Sequence, residues 1–152
     1  MTIYFAVSHL GHLSAREVHQ LYKLRTDIFV VEQNCAYEEI DEIDARPTTL
    51  HIRALENQEL IGTARVYPDG ANPSIVHLGR IAVHADHRRS GLGTSIVQQA
   101  IGLVKGQYPG ANIAIDAQSV SVDFYRGLGF EVSGEEFDWD GIKHTPMLLT
   151  LT

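Results

Sequence analysis

A chain of 152 residues, 44% hydrophobic and 20% charged, is long enough for one domain over residues 1–152 with a sizeable core. Its 12 basic residues against 19 acidic ones leave a net charge of −7, which argues against a nucleic-acid-wrapping surface. No apolar run approaches a membrane span, the first ten residues lack the basic region of a leader, and a single cysteine, Cys35, forms no internal disulfide, so a cytoplasmic protein with no membrane partner is expected.

In chain order, residues 2–7 alternate well enough for an edge strand. Ser14-Ala15-Arg16-Glu17 has the form of a capping box, ahead of a helix that places Val18, Leu21, Tyr22, Ile28 and Phe29 on one stripe. Arg25 falls within that stripe, and a salt bridge to a nearby carboxylate is the simplest account of it. Residues 29–37 then lead into an acidic run, 38–44, in which five of seven positions are carboxylates. Two readings of the run stay open: a solvated face, or a local negative field that draws a cationic amine. Cys35 reads as a small half-buried thiol rather than a nucleophile, since no His or Asn is placed beside it in sequence.

Residues 48–55 and 60–67 predict two strands at hairpin spacing around Glu56-Asn57-Gln58-Glu59, and alternation puts Arg65 on one face with Thr63 and Tyr67. After a Pro/Gly turn cluster at 68–73, residues 75–83 form a β-branched strand. A polar turn carrying Arg88 and Arg89 follows. Gly91-Leu92-Gly93 then opens a helix whose Leu92, Ile96, Ala100, Ile101 and Val104 recur at helical spacing. Strand, basic glycine turn and helix together make an anion cradle. The first N–H groups of a helix lack internal partners, its dipole adds positive potential, and glycine lets the backbone approach a phosphate closely. Thr94-Ser95 after Gly93 excludes the Lys-Ser/Thr pair of a P-loop, and Ile96 replaces the third glycine of a dinucleotide fingerprint.

Gly110 ends this helix and residues 111–116 make a short strand, so strand, helix and strand imply a parallel pair. A helix over 120–128 follows, capped by Ser119 or Ser121 and closed by Gly129 in the left-handed conformation. The last two strands, 130–138 and 144–151, are joined through Trp139-Asp140-Gly141. Pairing of the final strand between two copies would cover a sheet edge, so monomer and homodimer both remain open.

Arg88-Arg89-Ser90-Gly91-Leu92-Gly93, directly after Gly79-Arg80-Ile81-Ala82-Val83, resembles the acyl-CoA motif of the GNAT superfamily of N-acetyltransferases, Arg/Gln-x-x-Gly-x-Gly/Ala. Phe124-Tyr125-x-x-x-Gly129-Phe130 resembles its second motif. Leu21-Tyr22-x-Leu24-Arg25, the stretch 29–37, the acidic run, Ala117-Gln118 and Asp140-Gly141-Ile142-x-His144-x-x-Met147 are similar to the ElaA-like branch, with Ala36 and Lys143 where that branch leads one to expect proline. The resemblance covers nearly the whole chain. It implies an α/β (α+β) fold: a mixed, mostly antiparallel sheet of six to seven strands, a splayed central parallel pair and about four helices.

It also implies an acetyl-CoA-dependent N-acetyltransferase that works by direct attack in a ternary complex on a small-molecule or protein amine. A non-catalytic CoA-binding sensor or interaction module is the alternative. On the family pattern the pantetheine arm pairs with the main chain of Ile81, Ala82 and Val83. Arg88, Arg89, Ser90, Gly91, Leu92, Gly93 and Thr94 hold the diphosphate, and Gln118 joins the cofactor set. An N–H near Val83 faces the carbonyl oxygen, and Tyr125 stands near the CoA sulfur as general acid. An acceptor amine with a pKa of about 10.4 must lose a proton, for which Glu32, Asp41 and His144 are the candidate bases. The eight histidines show no metal-ligand spacing, so no metal is expected.

Overall fold

The computed structural model describes residues 2–34 and 38–151, so the reading of Cys35 lies outside the described residues. Among the described residues eight strands form one mixed sheet: β1 (Ile3–Ser8), β2 (Leu50–Glu56), β3 (Glu59–Pro68), β4 (Ile75–Val83), β5 (Asn112–Gln118), β6 (Glu131–Val132), β7 (Phe137–Trp139) and β8 (Ile142–Leu149). Their order is β1-β2-β3-β4-β5-β8-β6, with β7 also on β8. Of these strands only β4 and β5 pair in parallel, as the strand–helix–strand order requires. Three α-helices are present among the described residues: α1 (Ala15–Thr26), α2 (Leu92–Gln107) and α3 (Val122–Arg126).

The capping box forms as expected: Ser14 Oγ accepts from the Glu17 N–H at 3.1 Å, and Glu17 Oε1 accepts from the Ser14 N–H at 2.8 Å. The helix does not continue regularly through Phe29. It widens into a π-helical turn over Asp27–Glu32, where the Gln33 N–H donates to the Ile28 carbonyl at 3.0 Å. Ile28 and Phe29 are buried all the same. The β2–β3 hairpin turns on Asn57 (φ 52°) and Gln58 (φ 69°), a two-residue turn whose twist suits the strands.

α2 lays Leu92, Ile96, Val97, Ala100 and Val104 on the sheet, against Ile52, Ile61, Val66, Val76, Ile113 and Met147. The helix sits so close that a Cβ added at Gly62 would meet Ile96 Cδ1 at 2.7 Å and the Ala82 carbonyl at 3.3 Å. Gly62→Ala is therefore expected to cost about 1–3 kcal/mol by overpacking, read as a drop in the urea midpoint with an unchanged slope.

Two irregularities shape the centre of the sheet. β4 and β5 pair only at Ile75–Asn112, Val76–Ile113 and His77–Ala114, and then part. On its other edge β4 bulges: Thr63 faces Ala82 and Arg65 faces Gly79, so Ala64 stands against both Arg80 and Ile81. Arg80 takes a left-handed φ of 52° there.

The C-terminal third differs from expectation in three ways. The helix expected over 120–128 is a 3₁₀ turn (Ser119–Ser121) followed by α3, and neither serine caps it. Ser119 Oγ instead pairs with Thr145 Oγ1 at 2.7 Å. The expected strand 130–138 is broken into β6 and β7. Pro146 accepts from the Ser133 N–H at 2.9 Å but has no N–H to return, and a Cβ added at Gly134 would meet its ring at 3.2 Å. The final strand β8 is also no edge, since β5 flanks it on one side and β6 and β7 on the other. It is therefore closed to the pairing between copies suggested above.

Candidate active site

A cavity of about 340 Å³ opens where β4 and β5 part. Its lining includes Gly79 to Ile81 of β4, Ala114 to Gln118 of β5, Arg65 and Tyr67 of β3, and Tyr125, Trp139 and His144. Arg65 and Tyr67 thus share a face, as their alternation implies.

One wall rests on a buried charge network that the sequence anticipated only at Arg25. Arg25, 1% exposed, donates from Nε to Glu39 Oε1 at 2.9 Å and from Nη1 to Asp44 Oδ1 at 2.6 Å. It also donates from Nη2 to the Glu39 carbonyl at 2.8 Å. Arg65 grips Asp41 with two bonds, at 2.7 and 3.2 Å, and lies 3.0 Å from Asp44. Arg80 donates from Nε to the Glu39 carbonyl at 3.2 Å. The same nitrogen is 2.8 Å from Glu39 Oε2 but out of line for a hydrogen bond, so that contact is electrostatic. Three guanidinium groups thus face three carboxylates. Burial pushes Glu39 above its ordinary range despite Arg25 and Arg80. In Asp41 and Asp44 burial also raises the pKa, but the arginines outweigh it and hold both carboxyls low.

The salt bridge expected of Arg25 is therefore present, and it is fully buried. The acidic run fits neither of its two readings as a unit: Glu38 and Glu42 are exposed, while Glu39, Asp41 and Asp44 are taken up by arginines.

The four candidate catalytic residues part company here. Asp41 lines the cavity, but its carboxylate is held by Arg65. Glu32 lies outside the lining of this cavity and forms an exposed two-point ion pair with Arg88, whose hydrogen bonds keep its pKa low. Tyr125 and His144 both line the cavity. Burial pushes the Tyr125 hydroxyl up to about 12, and its ring packs edge-on to Phe124 and Phe130. Among the described residues that hydroxyl has no hydrogen-bond partner.

His144 Nδ1 is 2.9 Å from the Ile142 carbonyl. A carbonyl only accepts, so Nδ1 is the donor there, and in the neutral ring Nε2 carries the lone pair. Phe137 stacks on the ring at 5.6 Å and fixes its plane.

A second cavity, about 330 Å³, is lined by Val83, Arg88, Arg89, Gly91, Leu92, Gly93, Thr94 and Phe124. Gly91 caps α2 with φ 83°, and Arg89 before it is also left-handed at φ 62°. The first α2 residue whose N–H meets a helical carbonyl is Ser95, at 3.0 Å from Gly91 O, so the N–H groups of Leu92, Gly93 and Thr94 point out of the helix end. A Cβ placed on Gly91 would touch nothing within 4 Å, so the ground in front of the loop is clear. These features suit a diphosphate. Ser90 instead turns its hydroxyl back to the His87 carbonyl. Arg88 Nε donates to Val83 O at 3.2 Å, which commits one of the strand carbonyls allotted to a pantetheine arm. Gln118 lines the first cavity and not the second, donating to Gln33 Oε1 at 2.9 Å.

Comparison with known proteins agrees with this geometry. The family model for the acetyltransferase (GNAT) domain matches residues 15–151. A UPF0039 protein of Schizosaccharomyces pombe is 34% identical over 148 residues, 97% of each chain. Protein ElaA of Escherichia coli is 31% identical over 139 residues, 91% of each chain. Its crystal structure matches with a TM-score of 0.91 at 29% identity, covering 97% of this chain and 99% of that one. The crystal structure of an acyl-CoA N-acyltransferase from Pseudomonas aeruginosa gives a TM-score of 0.92 at 27% identity, over 98% of this chain and all of that one. A likeness that runs through nearly every residue, in sequence and in fold, leaves one conclusion: the chain belongs to the GNAT acetyltransferase family, among the ElaA-like proteins.

Proposed function

We propose that this protein is an acetyl-CoA-dependent N-acyltransferase that acetylates a primary amine by direct attack in a ternary complex. The observation that carries the reading is the meeting, in one cavity at the strand split, of the uncharged Tyr125 hydroxyl and the His144 imidazole, whose Nδ1 is held by a carbonyl. Acetyl-CoA supplies the activated thioester. The N–H groups of Leu92, Gly93 and Thr94, with Arg88 and Arg89, hold its diphosphate. The edge of β4 that β5 leaves open beyond His77, including Ile81, Ala82 and Val83, receives the pantetheine amides in the manner of an added strand, with the Val83 carbonyl shared with Arg88. A main-chain N–H at that edge faces the acyl oxygen as charge develops on it.

His144 Nε2 takes the proton of the acceptor amine, the new N–C bond forms, and the C–S bond breaks. Asp41 and Glu32, held at low pKa by arginines, are poor proton acceptors by comparison and serve to position Arg65 and Arg88. Tyr125, with a pKa of about 12, does not surrender its proton outright to a thiolate whose conjugate acid lies near 8.5. It donates a hydrogen bond to the leaving sulfur, a charge-assisted bond worth about 1.5–3 kcal/mol.

Tyr125→Phe is accordingly expected to lower kcat about 10- to 100-fold while CoA affinity holds, measured by thiol release and by titration calorimetry. Unchanged turnover would remove Tyr125 from the mechanism. CoA binding without turnover on any amine of a broad panel would leave a binding module.

A further inference from the structure

The cavity holds a charge that nothing answers. Its lining includes two arginines, Arg65 and Arg80, but with Arg25 these make three cations set against Glu39, Asp41 and Asp44. His77, also on the wall, has its Nε2 2.7 Å from Asp69 Oδ1, so that pair adds no net positive charge either. What remains is Asp116. It lies on β5 past the last residue paired with β4, it is exposed, and it lines the cavity. Among the described residues it makes no hydrogen bond or ion pair.

Its position relative to the proposed base is set by register. Asp116 faces Pro146 and Gln118 faces His144, so Asp116 and His144 are diagonal neighbours on one face of the sheet, about 7–8 Å apart and somewhat closer at Cβ. A carboxylate keeps a proton on any ammonium it touches, which opposes attack by that nitrogen. Asp116 is therefore misplaced as a seat for the reacting amine and well placed for a second, non-reacting cation.

We propose that Asp116 is a specificity-determining residue that anchors a second positive charge on the acceptor, which makes the acceptor a diamine or an amine with a like cationic group. The proposal rests on the acyltransferase reading above. In the ternary complex, the charged end sits on Asp116 and the free amine meets His144 Nε2.

The test compares 1,4-diaminobutane with butylamine as acceptors, with acetyl-CoA as donor, in the wild type and in Asp116→Asn. The wild type is expected to favour the diamine in kcat/KM by about tenfold or more, a preference that shrinks as salt is added. In Asp116→Asn the ratio of the two kcat/KM values falls to about one, mainly through a higher KM for the diamine. Calorimetric titration of the diamine into the CoA-bound protein gives a readout independent of turnover: the wild type binds it at least about tenfold more tightly than the variant. Transfer to both amines with no diamine preference, or equal loss of both in the variant, overturns the anchor alone. Equal diamine binding by the two proteins also overturns it. Transfer to no amine, with diamine binding intact and lost in Asp116→Asn, overturns the enzyme reading and leaves the cation site standing.

Discussion

Arg25→Met is expected to destabilise the protein by about 3–5 kcal/mol, because it removes one partner of a buried ion network and leaves Glu39 and Asp44 without it. The four bonds that Arg25 makes run to residues 14 and 19 positions away and tie the 38–44 segment to α1. Methionine fills similar volume but supplies no donors, so the loss comes from stranded charge rather than from a void. Chemical denaturation measures it. Lys23→Met is the contrast: its partner Asp27 is equally close, at 2.7 Å, but the two side chains are 63% and 53% exposed, and a change within about 0.5 kcal/mol is expected. Similar losses for both variants would mean that burial does not set the strength of these pairs.

Acid probes the same network from another side. Asp41 and Asp44 have folded pKa values below the ordinary 3.8, so the stability they confer is complete above that value and is lost as pH falls through the lower folded ones. Glu39, raised above 4.5, works in the opposite sense: it takes up a proton sooner in the folded state, and mild acidification through its range favours the fold.

Gly91→Glu is expected to weaken CoA binding about 100-fold or more, since two like charges about 4 Å apart cost about 4 kcal/mol at an effective dielectric of 20. The substitution separates binding from folding unusually well. No protein atom lies within 4 Å of the new Cβ, so the cost to the empty fold is the left-handed backbone at φ 83°, about 1–2 kcal/mol. Gly91→Ala carries that backbone cost without the charge. The gap between the two variants in calorimetric CoA affinity isolates the electrostatic part. In the wild type, CoA at a hundred times its Kd should also add about 2.7 kcal/mol of stability, an increment the charged variant loses at the same concentration. Equal affinity in all three proteins would move the diphosphate away from this loop.

What could be read from the residues was whatever is decided locally. The Ser14 capping box, the turn at 57–58, the strand 75–83 and the glycine turn into α2 each depend on a few consecutive side chains, and each is present. The acidic run was ambiguous because its meaning lies elsewhere: Arg25, Arg65 and Arg80 reach it across 14 to 41 residues of chain. Asp116 gave no signal at all, since a lone aspartate in a short strand becomes informative only once its neighbours' charges are matched off. The break between β6 and β7 was only half legible: Ser133-Gly134 is a local turn signal, but Pro146 in the strand opposite, which has no N–H to give the ladder, lies outside that stretch. Tyr125 and His144 were legible as members of motifs, yet the distinct roles proposed for them rest on burial and on a carbonyl two residues back.

The extra residue at Arg80 has one more effect, on parity. Ahead of it the even-numbered Val76 and Leu78 belong to the large core beneath α2; behind it the odd-numbered Ile81 and Val83 pack there, and Ala82 joins Leu24, Ile28 and Phe29 instead. A single inserted position thus exchanges inside for outside along the rest of the strand. Strict alternation read through 75–83 would send the last three side chains to the wrong side, and a shortening of β4 by one residue would turn two aliphatic groups away from the core beneath α2.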